Sequence, residues 1–264
     1  MKSLRVLVLC VLAFALGTAP ASHSAEIIRL ASLEWPPYTG AQLPDGGEST
    51  ATLRAAFAAV GYQLEVDFLP WERTLALAKA PDSGYAGYFP EYFSPAITEQ
   101  FLFSVIIGYG PLGLAERRNQ PLQWQQPSDL RRYLIGTVQG YVNTEEFDRA
   151  VAARLQPAEP AGSDSQNLKK LAAGRIDAAI IDPHVMRYLL EHDASLANVK
   201  HLLGFNPRLL ENKALYVCFR KGKDAEKLAS ALAEGLARIR LRGPAADGKN
   251  ELLPTDTPAA EQKP

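Results

Sequence analysis

Cysteine is scarce: the 264 residues hold two, Cys10 and Cys218. Cys10 lies in an N-terminal apolar run expected to be removed, so the remaining chain cannot form an internal disulfide and must rely on core packing. Cys218 falls in the run Leu215 to Phe219 and reads as a small buried hydrophobe rather than a reactive thiol. Charge of one sign is not in excess either, with 28 basic against 29 acidic residues, which implies no polyanion and no nucleic-acid partner. No apolar run reaches the length of a transmembrane helix. Gly-x-Ser-x-Gly, phosphate-loop and dinucleotide glycine patterns are missing. Four histidines occur, and His184, His192 and His201 show no metal-ligand spacing with cysteine or carboxylates. No cofactor and no metal is expected, and binding is favoured over catalysis.

The N-terminus carries Lys2 and Arg5, an apolar run from Val6 to Leu16, and small residues after Gly17, the build of a secretory signal peptide over 1–25. A cut after Ala21, with Ala19 three positions from the cut, fits the small-residue rule, as do cuts after Ser24 or Ala25. Leu9 before Cys10 argues against lipid attachment, so the mature protein is expected free in the periplasm. Export takes two bases and no acid, leaving 26 against 29 and a net charge of −3. From 244 onward Pro, Ala, Asp, Glu and Lys replace large apolar side chains, and 244–264 is expected to be a disordered tail.

Strand and helix signals alternate from Glu26 to about Leu241, which predicts an α/β architecture with mostly parallel sheets. Expected strands are Ile27 to Leu33, Tyr62 to Leu69, Tyr85 to Phe89, Arg132 to Val138, Ile176 to Ile181, Val199 to Leu203 and Ala214 to Arg220. Helices are expected from a Ser49 or Thr50 cap to Gly61, and over Trp71 to Ala80, Thr144 to Leu155, Val185 to Glu191 and Ala225 to Ile239. The stretch Phe101 to Leu114, with Gly108, Gly110, Pro111 and Gly113 set into it, reads as a strand passing from one compact unit to a second.

The segment Asn167 to Val185 is the most informative. Leu168, Leu171 and Ala172 recur at helical spacing, Gly174 stops the helix, and the apolar run Ile176 to Ile181 delivers Asp182 at the carboxyl end of a buried strand. That edge of an open α/β sheet is where small molecules bind, so Asp182 is a candidate ligand contact. Asp182 before Pro183 also suits a helix N-cap, and the two roles are compatible. Trp35 and Tyr38 follow the first strand and display rings beside two prolines, either to stack on a ligand or to pack their own loop. Trp71 and Arg73 follow the second strand, where Arg73 either meets an anionic group or pairs with Glu72 or Asp67. Tyr88 and Tyr92 belong to the densest aromatic cluster, expected to line a cleft. Gly140 and Tyr141 follow the strand of the second unit in a turn whose N–H groups can face an anion. Glu34, Glu91 and Asp182 are candidate acids or bases, although cleft carboxylates more often bind.

Trp35-Pro36-Pro37-Tyr38, Phe103-Ser104, Ile135 to Gly140, and Ala173-Gly174-Arg175-Ile176-Asp177 with Asp182 stand in an order that resembles the family 3 solute-binding proteins of bacterial ABC importers, across about Glu26 to Leu241. The resemblance implies a two-lobed periplasmic-binding-protein fold, each lobe a mostly parallel sheet flanked by helices, with two crossing strands as hinge. Lobe 1 is expected over 26–111 and 213–243, and lobe 2 over 112–212. It implies a monomer that captures a small polar, amino-acid-like or amine-containing solute and delivers it to an inner-membrane ABC permease. Sensing for a membrane receptor and a dehydratase-like enzyme on the same fold are the alternatives. The family's amino-acid binders place a carboxylate-clamping Arg six residues before Phe-Ser, where this chain has Ile97, and Tyr141 and Val142 replace hydroxyl residues. Asp182 matches the residue that grips a ligand's ammonium group. The resemblance thus implies a cationic or hydrogen-bonding group on Asp182 and an apolar or flat body on the rings.

Overall fold

The computed structural model describes residues 25–242. The expected signal segment up to residue 24 and the expected tail lie outside the described residues. The strands are β1 (Glu26–Ser32), β2 (Tyr62–Phe68), β3 (Gly87–Tyr92), β4 (Phe101–Phe103), β5 (Gly108–Arg117), β6 (Ile135–Val138), β7 (Ala158–Ala161), β8 (Ala178–Ile181), β9 (Leu203–Phe205) and β10 (Glu211–Arg220). The helices longer than one or two turns are α1 (Glu48–Ala59), α2 (Trp71–Lys79), α3 (Glu145–Ala152), α4 (Asp164–Ala172), α5 (Pro183–His192) and α6 (Ala225–Arg242).

The first lobe is built on β2-β1-β3, with β1 parallel to both neighbours. The second is built on β8-β6-β7, again parallel. Two antiparallel strands join them. β5 pairs with β10 over Gly108 to Leu112 and then with β8 over Gly113 to Glu116, so it changes lobes midway. β10 returns the chain to lie against β3 and β4. Ser104 brackets this crossing, its N–H donating to the Val217 carbonyl (2.9 Å) and its Oγ accepting from the Val217 N–H (3.0 Å). Parallel strands aim their carboxyl ends the same way, so the loops after β1, β2 and β3 meet those after β6 and β8 in one inter-lobe cleft.

Local chemistry explains where the elements depart from expectation. α1 starts at Glu48, with Gly47 rather than Ser49 or Thr50 at the cap. Its free N–H groups go to backbone: Glu48 N–H donates to Pro37 O (3.1 Å) and Ser49 N–H to Tyr38 O (2.9 Å). The Trp35–Tyr38 loop thus supplies what a capping side chain would, and a Cβ on Gly47 would sit 2.6 Å from the Tyr38 oxygen. β3 runs on to Tyr92, and its ladder with β10 slips between Tyr216 and Cys218, opposite Pro90, which has no N–H to donate. The expected strand at Val199 is a 3-10 turn over Lys200–Leu202, with the strand starting at Leu203. β7, with the sequence AEPA, has no apolar signal because it is a half-exposed edge strand. The region around Arg132 is likewise a 3-10 turn, and β6 starts at Ile135.

Helix α6 packs on α1 through Gly235, where an added Cβ would lie 2.1 Å from the Ala56 carbonyl oxygen. Gly235→Ala gains helix propensity but must push the two helices apart, and overpacking of this kind costs about 1–3 kcal/mol. A fall in melting temperature of about 2–10 °C is expected in a thermal melt.

Candidate functional site

Asp182 leaves β8 and caps α5, the helix-cap role read from the sequence. Its Oδ1 accepts the His184 N–H (2.6 Å) and the Val185 N–H (3.3 Å). Its Oδ2 accepts the Tyr38 hydroxyl at 2.9 Å, a hydrogen bond from one lobe to the other. The residue is 1% exposed, and burial holds its carboxyl above the usual carboxylate range despite these donors.

The rings gather around it. Trp35 stacks on Tyr38 at 4.6 Å between centroids, and Tyr92 meets Trp35 edge-on at 6.2 Å. Trp71 touches Tyr88 (5.6 Å) and reaches across the cleft to Tyr141 (5.7 Å). Its Nε1 donates to the Gly140 carbonyl at 3.0 Å, a second bond between the lobes. The Gly140 turn therefore presents a carbonyl to the other lobe, and the Tyr141 N–H is spent on Val138 O (3.1 Å).

Arg73 stands apart from this group. It is exposed on α2, and its charge acts on Tyr85. Neither expected ion pair forms among the described residues: Asp67 takes Arg29 at 2.9 Å and the Tyr85 hydroxyl at 2.7 Å. Glu34 is exposed and closes its own loop on the Ala41 N–H (3.0 Å).

Two further carboxylates share the cleft. Glu91, 5% exposed, accepts the Tyr88 hydroxyl (3.1 Å) and the Tyr92 N–H (2.8 Å). Burial pushes its carboxyl up to about 8, against those hydrogen bonds and the charge of Lys213. Asp164, 7% exposed, opens α4, and among the described residues no donor reaches its carboxylate. Burial, with the nearby Asp182 charge, pushes it up to about 7. The sequence offers no cue for Asp164 beyond the start of a helix, because the turn that aims it inward is set by the packing of α4. Lys213, 7% exposed, pairs with Glu211 at 3.4 Å and lies over the Tyr92 ring at 5.5 Å.

Between the lobes lie two wider openings, of about 310 Å³ along Glu34, Trp71, Asp164 and Val185 and of about 610 Å³ along Phe93, Arg149, Glu211 and Lys213, and two small enclosed cavities beside the buried carboxylates. A cavity of about 30 Å³ is walled by Glu91, Trp71, Leu33 and Leu215 among others. A second of about 10 Å³ is walled by Asp164, Asp182, Asn143 and Ile181. Trp35, Tyr92, Tyr141 and Val142 border both, and neither is lined by Lys or Arg. Among the described residues no group of three His, Cys, Asp or Glu is placed to hold a metal ion.

No protein-family model matches the sequence, and no curated protein does. Solved structures do match in fold. A histidine kinase sensor domain with similarity to periplasmic binding proteins is 19% identical with a TM-score of 0.69, over 82% of this chain and 91% of that one. An amino acid ABC transporter substrate-binding protein from Streptococcus pneumoniae, bound to L-arginine, is 16% identical with a TM-score of 0.64, over 82% and 90%. An ancestral amino acid-binding protein that is a precursor of cyclohexadienyl dehydratase is 15% identical with a TM-score of 0.63, over 82% and 91%. The chain has the two-lobed periplasmic-binding-protein fold.

Proposed function

We propose that this protein is exported to the periplasm and captures a small solute bearing a cationic group, holding it between its lobes without covalent chemistry. Asp182 takes the cation, and Trp35, Tyr38, Trp71, Tyr88, Tyr92 and Tyr141 enclose the body of the solute. Residues 26–111 with 213–243 move as one body and 112–212 as the other, and closure is what the partner reads. The observation that carries this reading is the gathering of buried Asp182, Asp164 and Glu91 among rings, with no Lys or Arg walling the two small enclosed cavities beside them, while Lys213 and Arg149 line a wider inter-lobe opening. A buried carboxylate without a cation is costly, so a positively charged guest is favoured. A ligand carboxylate would meet three buried acids with Lys213, already paired with Glu211, as the nearby cation, and at the position of the family's clamping Arg stands Ile97.

Delivery to an inner-membrane ABC permease is the leading use of that closure, in keeping with the substrate-binding protein among the structural relatives. Signalling to a membrane receptor is the second reading, favoured by the likeness to a kinase sensor domain. A permease and ATPase encoded beside this chain would separate the first from the second.

Calorimetric titration of the purified chain with n-pentylamine, phenethylamine and L-leucine tests the ligand class. The amines are expected to bind, and L-leucine to bind at least about tenfold more weakly, since its carboxylate meets buried acids and the nearby Lys213 is already paired with Glu211. L-leucine binding as tightly as either amine would sink the reading.

A further inference from the structure

Resting on that reading, we propose that the ligand is a dication, a compact aliphatic diamine, and that Glu91 of the first lobe holds its second ammonium group. Asp182 and Asp164 form one acidic pole, which an arriving cation would ionise, and Glu91, beside which Lys213 already stands, forms the other, and the two belong to different lobes. Tyr92 spans the distance between them. Its backbone N–H donates to Glu91 Oε1 at 2.8 Å. Its hydroxyl lies at the far end beside Asp182, both crowding Gly110, where an added Cβ would stand 2.9 Å from Asp182 Oδ2 and 3.2 Å from the Tyr92 oxygen. The poles are therefore about one tyrosine side chain apart, the span of a short carbon chain between two amines.

The cavities carry the same pattern. Each pole borders a small void, about 30 Å³ at Glu91 and about 10 Å³ at Asp164 and Asp182, on the scale of a water or an ammonium group, and Asp164 also borders a wider opening of about 310 Å³ by which a guest could enter. The shared wall of Trp35, Tyr92, Tyr141 and Val142 is apolar in its bulk, suited to methylenes once the rings shift aside as the lobes part. An independent sign of a missing partner is the Tyr92 hydroxyl itself. The residue is 6% exposed, and its oxygen makes no hydrogen bond among the described residues. An ammonium group beside Asp182 supplies a donor for it.

Titration calorimetry of the intact chain with 1,5-diaminopentane and n-pentylamine, repeated on Glu91→Gln, tests the assignment. The wild-type chain is expected to bind the diamine at least about tenfold more tightly than the monoamine, the gain of one charge-assisted contact. In Glu91→Gln, shown to be folded by its thermal melt, that preference is expected to collapse to within about threefold. A wild-type preference below threefold with both amines bound overturns the dication and spares the cation-binding reading. A preference that survives in Glu91→Gln overturns the role of Glu91. Failure of both amines to bind overturns the proposal together with the function it rests on.

Discussion

Asp182→Asn is expected to weaken binding of n-pentylamine or 1,5-diaminopentane by about 100-fold or more, while the unliganded chain melts at the same temperature or higher. The two effects have opposite signs for one reason. Asparagine keeps an oxygen for the His184 and Val185 N–H groups, so the cap of α5 survives. It removes the charge that burial disfavours, and relief of about 1 kcal/mol raises the melting temperature by about 2–4 °C. It also removes the charge that a cationic solute pairs with, and truncating one side of a buried charged pair costs about 2–5 kcal/mol of binding. Titration and a thermal melt on the same preparation check both halves. Unchanged affinity would make Asp182 a helix cap alone, and a lower melting temperature would mean that its charge is already compensated within the fold.

The stability of the unliganded protein is expected to fall as pH rises from about 5 to 8, with the melting temperature dropping by about 10 °C or more. Glu91 is pushed up to about 8 and Asp164 to about 7 by burial, and Asp182 is raised as well. Unfolded, these carboxyls release their protons near pH 4. Between there and the folded values the native chain holds protons that the unfolded chain has lost, so each such group subtracts about 1.4 kcal/mol per pH unit. The loss is complete only above the folded value of each group. Melts of Glu91→Gln/Asp164→Asn should show a flatter profile over the same range. Binding of an amine should run the other way, tightening as pH rises and releasing protons, because the cation favours the ionised acids. A melting temperature that rises toward pH 8 in the absence of ligand would contradict the burial of these groups.

The candidate site was partly legible in the chain. The apolar run ending at Asp182 has the composition of a buried strand, and Asp-Pro after it is a local cap signal, so its strand-end position and its capping of α5 both followed from neighbours in sequence. Trp35 and Tyr38 followed from their place after β1. Glu91 was visible only as a carboxylate among rings, because the continuation of β3 through Pro90 to Tyr92 depends on a ladder slip opposite Val217, far along the chain. Asp164 showed only as the start of a helix, since the neighbours that bury it, Trp35 and Tyr92 among them, lie far along the chain. Arg73 went the other way: its position after β2 is right for the cleft, yet it lies exposed on α2 and walls neither of the small cavities beside the carboxylates.

Local patterning by itself determined the alternation of strands and helices, the parallel sheets that follow from it, and the delivery of Asp182 and the aromatic loops to strand ends. These depend on period, caps and turn residues within a dozen positions of one another. Only the tertiary structure decided that three buried carboxylates from two lobes gather at one cleft, that the Tyr92 hydroxyl lies near Asp182, and that the Tyr38 and Trp71 bonds join the lobes. Such contacts link residues 69 to 144 positions apart, and no periodicity encodes which side chains a closing interface brings face to face.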